Sequence, residues 1–115
     1  MAAIIYKICP AALWREAERA RVYRGAGIDA RDGYIHFSSA DQVAETAAKH
    51  FAGDAALVLV AVNAHALGAA LHWEMARGGA LFPHLYGALP LEAVRWVKPL
   101  PLGADGRHLF PELCA

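Results

Sequence analysis

Three segments of the chain are apolar at alternate or successive positions, which is the pattern of β-strands. Ala3–Ile8 alternates and contains β-branched side chains, so it predicts the first strand. Ala56–Val62 is apolar at every position, which indicates a central strand that is covered on both faces of its sheet. Val94–Leu100 predicts the last strand.

Two segments carry apolar residues at the three-to-four-residue spacing of an amphipathic helix. The first begins after Pro10, which suits the first turn of a helix, and we expect it to end near Arg21. The second is predicted to run to about Phe51. It follows a capping box, in which the Ser39 hydroxyl caps the helix and Gln42 reaches back to Ser39.

Three further strands are short: Tyr34–Phe37, Leu71–Met75 and Phe82–Tyr86. Because Pro83 lacks a backbone donor, the last of them is expected at a sheet edge or a bulge. Tyr23–Gly33 is predicted to be a loop. The order of helices and strands shows no regular βαβ alternation. It therefore predicts an α+β fold with small mixed, mostly antiparallel sheets and two main helices.

The length and composition narrow the class of protein. A chain of 115 residues predicts a single domain over residues 1–115, in which the tail 103–115 is poorly determined by the sequence. The chain has 57% hydrophobic residues, 19% charged residues and no net charge. This composition is typical of a folded protein rather than of a binder of nucleic acid or membrane surfaces. The hydrophobic share also allows for a covered subunit face, as in a homo-oligomer.

No segment predicts a membrane span or a secretion signal. The longest apolar run, Ala55–Val62, has eight residues, whereas a membrane helix needs about 20. The N-terminus lacks a basic region followed by a full apolar stretch. Cys9 and Cys114 are isolated and predicted to be free thiols. We therefore expect a cytoplasmic protein.

Polar and aromatic residues fall on alternate positions of the three short strands, and alternate side chains share one face of a strand. One face of each strand therefore carries a mixed set: Tyr34, His36 and Ser38; His72 and Glu74; Phe82, His84 and Tyr86. If these faces converge, they form a cleft that suits a planar, polar ligand and proton transfer. The alternative is that each histidine is an ordinary structural residue of its strand.

The candidate catalytic residues are His36, Glu74 and His84. The candidate substrate-binding residues are Tyr23, Arg24, Tyr34, Ser38, Phe82 and Tyr86. Arg24 and Arg31 lie in a glycine-containing loop, where either could hold a phosphate or a carboxylate. The charges around them, including Asp29, are typical of a solvated helix face, and His50 is also expected to be solvated.

Local spacing defines neither a metal site nor a phosphate loop. His36 and His84 with either His72 or Glu74 could supply three metal ligands, but no pair of histidines has the spacing of a metal motif. We therefore expect no metal. A P-loop and a nucleophile elbow are both absent from the sequence.

Motifs along nearly the whole chain, to about Pro101, resemble those of one bacterial family, the domain-of-unknown-function family numbered nine hundred and fifty-two. They are Tyr6-Lys7-Ile8, Trp14, Tyr23, Gly33–Ser38, the helix from Gln42 to Phe51, Trp73-Glu74 and Phe82–Gly87. The two histidine motifs make this resemblance specific. It implies no particular reaction.

A second resemblance concerns the order of elements and His36 in its Ile-His-Phe-Ser setting. Both are similar to RNA 2′-phosphotransferases and to the wider ADP-ribosyltransferase fold. This resemblance implies a cleft between two small sheets that holds NAD or an ADP-ribosylated intermediate. Lys7 stands where those enzymes have a histidine, and Glu74 is the candidate for the glutamate typical of many ADP-ribosyltransferases.

Two hypotheses for the function follow. In the first, an ADP-ribosyltransferase-like domain binds a nucleotide-like or other anionic small molecule. His36 or His84 then performs acid–base chemistry, Glu74 orients the reactants or stabilises positive charge, and any enzyme activity is that of a transferase. NAD or an ADP-ribose-like compound is the candidate cofactor. In the second, the chain is a non-catalytic ligand-binding or protein-interaction module.

Overall fold

Helices and strands alternate along the first half of the chain, and strands dominate the second half. The computed structural model describes residues 2–114, except for the side chain of Arg77. The strands are β1 (Ile4–Pro10), β2 (Val22–Tyr23), β3 (Ile35–His36), β4 (Leu57–Asn63), β5 (Leu71–Met75), β6 (Leu81–Leu85), β7 (Leu89–Pro90) and β8 (Val94–Pro99). The α-helices are α1 (Ala11–Ala20), α2 (Ile28–Asp32) and α3 (Val43–His50). Short 3-10 helices span Ala64–Ala70, Arg77–Gly79 and Leu91–Ala93.

The strands form three small antiparallel sheets. The largest strands pair in the order β1-β4-β8, and a second sheet has the order β3-β6-β5. Strands β2 and β7 form a two-stranded ribbon. Backbone hydrogen bonds between Tyr6 and Ser38, of 2.8 and 2.9 Å, tie the first sheet to the chain just after β3. The fold is therefore α+β with small antiparallel sheets and few helices, as the sequence predicted.

Strand β4 is the central strand that its continuous apolar run predicted, because both of its faces are covered. Val60 and Val62 belong to a hydrophobic cluster that also contains Trp14 of α1 and Phe37. Alternate residues of β4 belong to a second cluster, on the side of α3. That second cluster includes Leu57, Leu59, Ala61, Val43 and Ala47.

The segment Tyr23–Gly33 is not a continuous loop. Tyr23 pairs with Leu89 in the β2–β7 ribbon, and Ile28–Asp32 forms α2. Glycines with positive φ bracket this helix, with values of 57° at Gly27 and 84° at Gly33. The glycines predicted a break, but a five-residue helix between two breaks has too few residues to show a helical period.

The expectation that Pro83 lies at an edge or a bulge is wrong. Pro83 is fully buried in β6, the central strand of its sheet, where it lies opposite Trp73 of β5. The Pro83 carbonyl accepts a hydrogen bond of 3.0 Å from the Phe37 amide. The amide and carbonyl of a strand residue point to the same neighbour, so the missing donor faces the side of β3. Since β3 has only two residues, the ladder there ends beside Pro83.

Of the two hydrogen bonds that the capping-box prediction requires, the structure shows only the one to Gln42. Gln42 does reach back, because its Oε1 accepts a hydrogen bond of 3.0 Å from the Ser39 amide. Helix α3, however, begins at Val43 with Gln42 at the N-cap position, and no side-chain hydrogen bond caps it. The amides of Gln42 and Val43 both bond to the Ser39 carbonyl, so a turn separates Ser39 from the helix.

The C-terminal tail, whose structure the sequence did not predict, packs onto the first sheet, β1-β4-β8. Phe110 and Leu113 contact the second hydrophobic cluster. The Tyr6 hydroxyl donates to the Cys114 carbonyl and accepts from the Cys114 amide, both at 2.8 Å. Cys9 and Cys114 are free thiols, as predicted. Among the described residues, no helix is both long and apolar enough to cross a membrane.

Candidate functional site

Three histidines lie side by side across the second sheet. The strand register places His84 of β6 opposite His36 of β3 on one side and opposite His72 of β5 on the other. Residues that lie opposite one another in a sheet share a face. The ring centroids of His36 and His84 are 5.5 Å apart. The polar faces of the three short strands therefore converge.

His84 is held by a carboxylate through one ring nitrogen. Its Nδ1 is 2.8 Å from Oε1 of Glu74, and the residue is 4% exposed. The Tyr86 hydroxyl donates to the same oxygen over 2.7 Å. These bonds, from His84 first and then from Tyr86, hold the pKa of Glu74 below its ordinary value. The bond to Glu74 also raises the pKa of Tyr86 to about 12.

Tyr34 lies against both imidazoles. Its ring centroid is 4.2 Å from that of His84 and 4.6 Å from that of His36. It also contacts the ring of Tyr86, at 5.1 Å. An aromatic ring in this position covers one side of both imidazoles and leaves its own hydroxyl available for a polar contact.

His36 is held between two aspartates. Its Nδ1 is 2.7 Å from Oδ1 of Asp29, and its Nε2 is 3.0 Å from Oδ2 of Asp32. A neutral imidazole has only one N–H, so only the doubly protonated ring donates to both carboxylates. Both aspartates have pKa values below the ordinary range, which keeps them ionised as acceptors.

Asp29 is the hub of a buried ionic network. The residue is 3% exposed, and Lys7 Nζ lies 2.9 and 2.8 Å from its two oxygens. The His36 amide and the Tyr23 hydroxyl also donate to it, over 3.0 and 3.3 Å. Burial alone would raise the pKa of Asp29, but the hydrogen bonds from His36 and Lys7 outweigh it and hold that pKa far below its usual range. Burial lowers the pKa of Lys7, and Asp29 partly offsets this.

A main cavity of about 360 Å³ opens beside this network. Its polar lining residues are Lys7, His36, Ser38, Thr46, His50 and His84. Aromatic and aliphatic side chains, including Phe37, Phe51 and Phe82, form the rest of the wall. This combination of apolar walls and a few polar groups is typical of a small-molecule site.

A second cavity, of about 260 Å³, lies next to the first. Its lining includes Arg24, Asp29, Gly33, Tyr34 and Gly87. Asp29 therefore lines the second cavity, while its partners Lys7 and His36 line the main one.

The family model described as "Protein of unknown function (DUF952)" matches residues 8–97 of the chain. The chain belongs to this family. The match agrees with the resemblance carried by the two histidine motifs, and the same motifs supply His36 and His84 of the site.

The DUF952 chain is also similar to protein CC0527 from Caulobacter crescentus. The crystal structure of that protein is 47% identical and superimposes with a TM-score of 0.89, covering 92% of this chain and 93% of that one. Its solution NMR structure is 48% identical with a TM-score of 0.83, covering 91% and 90%. No curated protein matches the chain. Neither the family match nor these structures support the resemblance to ADP-ribosyltransferases and RNA 2′-phosphotransferases.

The candidate residues of this DUF952 domain divide into three groups. His36, Ser38, Phe82 and His84 line the main cavity, and Glu74 is bonded to His84. Arg24 and Tyr34 line the second cavity instead. Tyr23 is buried against Asp29, and Tyr86 is bonded to Glu74.

Five polar residues of the site were not among the candidates from the sequence: Lys7, Asp29, Asp32, Thr46 and His50. Asp29 was expected on a solvated face but is buried, and His50 lines the main cavity at the end of α3. One signal could have revealed the network. Lys7 alternates with Ile5 and Cys9 on a strand face that is otherwise apolar. A buried lysine requires a carboxylate partner, although the sequence does not say which one.

The described part of the chain shows no group of side chains that is arranged like a metal site. Within residues 2–114, leaving aside the Arg77 side chain, no three His, Cys, Asp or Glu side chains are grouped so that they could hold a metal ion. Glu74 and Asp29 instead bind the two imidazoles directly.

Proposed function

We propose that this DUF952 domain binds a small molecule in the main cavity and that His84 exchanges a proton with it. The asymmetry of the His84 ring carries the proposal. Nδ1 is 2.8 Å from Glu74, whereas the other ring nitrogen has no hydrogen-bond partner among the described residues, and the ring lines the cavity. A general base needs a fixed tautomer and one nitrogen that is available to the ligand.

The proton positions follow from the partners. The Glu74 carboxylate has no proton to donate, so the proton of the bond lies on Nδ1 and Nε2 carries the lone pair. When Nε2 takes a proton from the ligand, Glu74 stabilises the resulting imidazolium. The Tyr86 hydroxyl, 2.7 Å from the same carboxylate oxygen, holds Glu74 in position. Glu74 is thus a positioning residue.

His36 has a different role in this proposal. Both of its nitrogens are bonded to carboxylates, so neither is available to accept a proton from a ligand. Together with Lys7 and Asp29 it forms a fixed, hydrogen-bonded wall of the cavity. Of the two histidines considered from the sequence, His84 is therefore the one that we assign to acid–base chemistry.

The ligand class follows from the walls and from the sequence resemblance. Phe51, Phe82 and neighbouring apolar side chains suit a flat ring, and His50 and His84 supply polar contacts. We propose a nucleotide-like or other anionic small molecule, with NAD or an ADP-ribose-like compound as the first candidates. The proposed ADP-ribosyltransferase-like fold and transferase activity rest on the resemblance in the order of elements and around His36.

A non-catalytic binding module is the second candidate function. The observation in its favour is that the wall of the main cavity is largely apolar, and that two of its polar side chains, Lys7 and His36, are already bonded to aspartates. Such a site could hold a ligand without transforming it.

The two functions are separated by comparing binding with turnover. We would measure the thermal stabilisation of the protein by NAD, ADP-ribose and AMP, and then the consumption of NAD with candidate acceptors. The catalytic proposal expects the His84→Gln variant to bind within a few-fold of the wild type and to lose about 10²- to 10⁴-fold in turnover.

His65→Gln is the matched control, since this exposed histidine lies in the 3-10 helix Ala64–Ala70. Turnover that persists in His84→Gln would contradict the assignment of the base. Binding without turnover in the wild type would favour the non-catalytic module.

A further inference from the structure

We infer that the second cavity is a separate binding site for a compact oxyanion, such as the phosphate or carboxylate group of a small metabolite, with Arg24 as its cation. Arg24 lines this cavity of about 260 Å³ and not the main one. Among the described residues Arg24 makes no ion pair and no hydrogen bond, whereas Arg31 of the same segment is bonded to Asp32 over 3.1 Å. A guanidinium in a concave site presents a fork of N–H donors that matches the oxygens of an oxyanion.

The negative charge of Asp29, which lines the second cavity, does not prevent an anion from binding there. Asp29 also lines the cavity, and a free carboxylate there would repel an anion. Its two oxygens, however, already accept from Lys7, from the ring and amide of His36 and from Tyr23. Lys7 balances the charge of Asp29, and Arg31 balances that of the neighbouring Asp32, so among the described residues the charge without a partner beside the cavity is that of Arg24.

Two glycines leave the wall of the cavity open. Gly33 has φ of 84° and Gly87 has φ of 154°, both in the region that favours glycine. A Cβ built at either position meets no atom within 4 Å, so a larger side chain would extend into open space. Glycine at such positions allows a ligand to approach the backbone closely. The remaining lining residues include the small side chains of Ala30 and Ala88.

Tyr34 links this site to the main one. Its side chain lines the second cavity, and its ring contacts those of His84 and His36 at 4.2 and 4.6 Å. An anion bound beside Arg24 would therefore occupy a cavity that is partly lined by the residue lying against the two imidazoles. The oxyanion site is distinct from the proton-transfer site, but occupation of one should be detectable at the other.

The test is a titration of ¹⁵N-labelled protein with sodium phosphate, followed by amide NMR at constant ionic strength, with sodium chloride as the reference salt and sodium acetate as the carboxylate arm. We expect phosphate or acetate to cause saturable shifts that map to Arg24, Tyr34 and Gly87. We expect the Arg24→Gln variant to bind about tenfold more weakly or worse, because one charge-assisted hydrogen-bond donor is lost.

Arg19→Gln is the matched control, because it removes the same charge from an exposed position of α1. It should bind the oxyanion as the wild type does. The inference is overturned if neither anion gives saturable shifts in the wild type, if the shifts map away from the second cavity, or if Arg24→Gln and Arg19→Gln bind equally well. None of these results would bear on proton transfer by His84, which the tests of the main cavity address separately.

Discussion

His36 and His84 lie directly opposite each other on neighbouring strands, with ring centroids 5.5 Å apart, yet their surroundings differ. The side chain of His36 is 26% exposed and has a carboxylate at each nitrogen. The side chain of His84 is 5% exposed and has a carboxylate at one nitrogen only. When two titratable groups of the same kind occupy such different environments, their chemical roles differ as well. His36 belongs to the hydrogen-bonded framework around Asp29, and His84 is the group that we propose is available to a ligand.

Replacing His84 should raise the pKa of Glu74. The hydrogen bond from His84 is the largest cause of the low pKa of this exposed carboxyl, and the bond from Tyr86 is the next. In His84→Ala the pKa of Glu74 should rise towards its ordinary value, and in Tyr86→Phe it should rise by less. Carboxyl ¹³C NMR titration measures both. An unchanged pKa of Glu74 in His84→Ala would show that the two side chains do not interact in solution.

The stability of the protein should fall in acid because of Asp29. Its pKa is lower in the folded protein than in the unfolded chain, where it is about 4. Below about pH 4 the unfolded chain takes up the proton first, so the free energy of unfolding decreases as the pH drops, whereas the full contribution is present above that pH. Urea unfolding of the wild type and of Asp29→Asn at pH 3 and pH 7 measures this. The variant should lose less stability between the two pH values, and equal losses would argue against the buried pair.

Breaking the pair between Lys7 and Asp29 should destabilise the protein strongly. Their side chains are 9% and 2% exposed, so without its partner Lys7 would be a buried, uncompensated charge, and Asp29 would keep only its bonds to His36 and Tyr23. We expect Lys7→Met and Asp29→Leu each to lower the free energy of unfolding by about 3–5 kcal/mol, and the double variant to lose much less than the sum. Chemical denaturation of the three variants checks this. Additive losses would contradict a direct interaction.

Gln42 should matter more to stability than Ser39. Gln42 accepts from the Ser39 amide and donates from Nε2 to the Leu81 carbonyl over 2.7 Å, so it joins the start of α3 to β6. Gln42→Ala should therefore cost about 1 kcal/mol. Ser39→Ala should cost only a few tenths, because Ser39 is not the N-cap residue. Thermal unfolding compares the two, with the exposed Asp41→Ala as the control, and a larger loss in Ser39→Ala would restore the capping-box hypothesis.

The sequence predicted those parts of the fold in which one local pattern dominates. The continuous apolar run of β4 required cover on both faces, and alternation in the three short strands placed His36, Glu74 and His84 each on the polar face of its own strand. Alternation cannot place strands relative to one another, however. The order β3-β6-β5, with Pro83 in the middle, depends on β3 being only two residues long.

The network of Lys7, Asp29 and His36 could not be predicted either, because local patterns do not show which distant residues meet. Lys7, Asp29 and His36 are separated along the chain, and only the packing of α2 against β3 and β1 brings them together. Asp29 also stands among other charged residues, which made it look solvated. The charge pattern of a short segment does not reveal which of its members a distant lysine will pair with.

The position of the proton on the neutral His84 ring decides whether this histidine can act as a general base. Long-range ¹H–¹⁵N correlation of the histidine side chains, recorded over a range of pH values, distinguishes a protonated from an unprotonated ring nitrogen. We predict that neutral His84 carries its proton on Nδ1, where it is donated to Glu74, and that Nε2 is unprotonated and available to a ligand. A neutral His84 ring with its proton on Nε2 would rule out the proposed proton transfer, because that nitrogen could not then accept a proton.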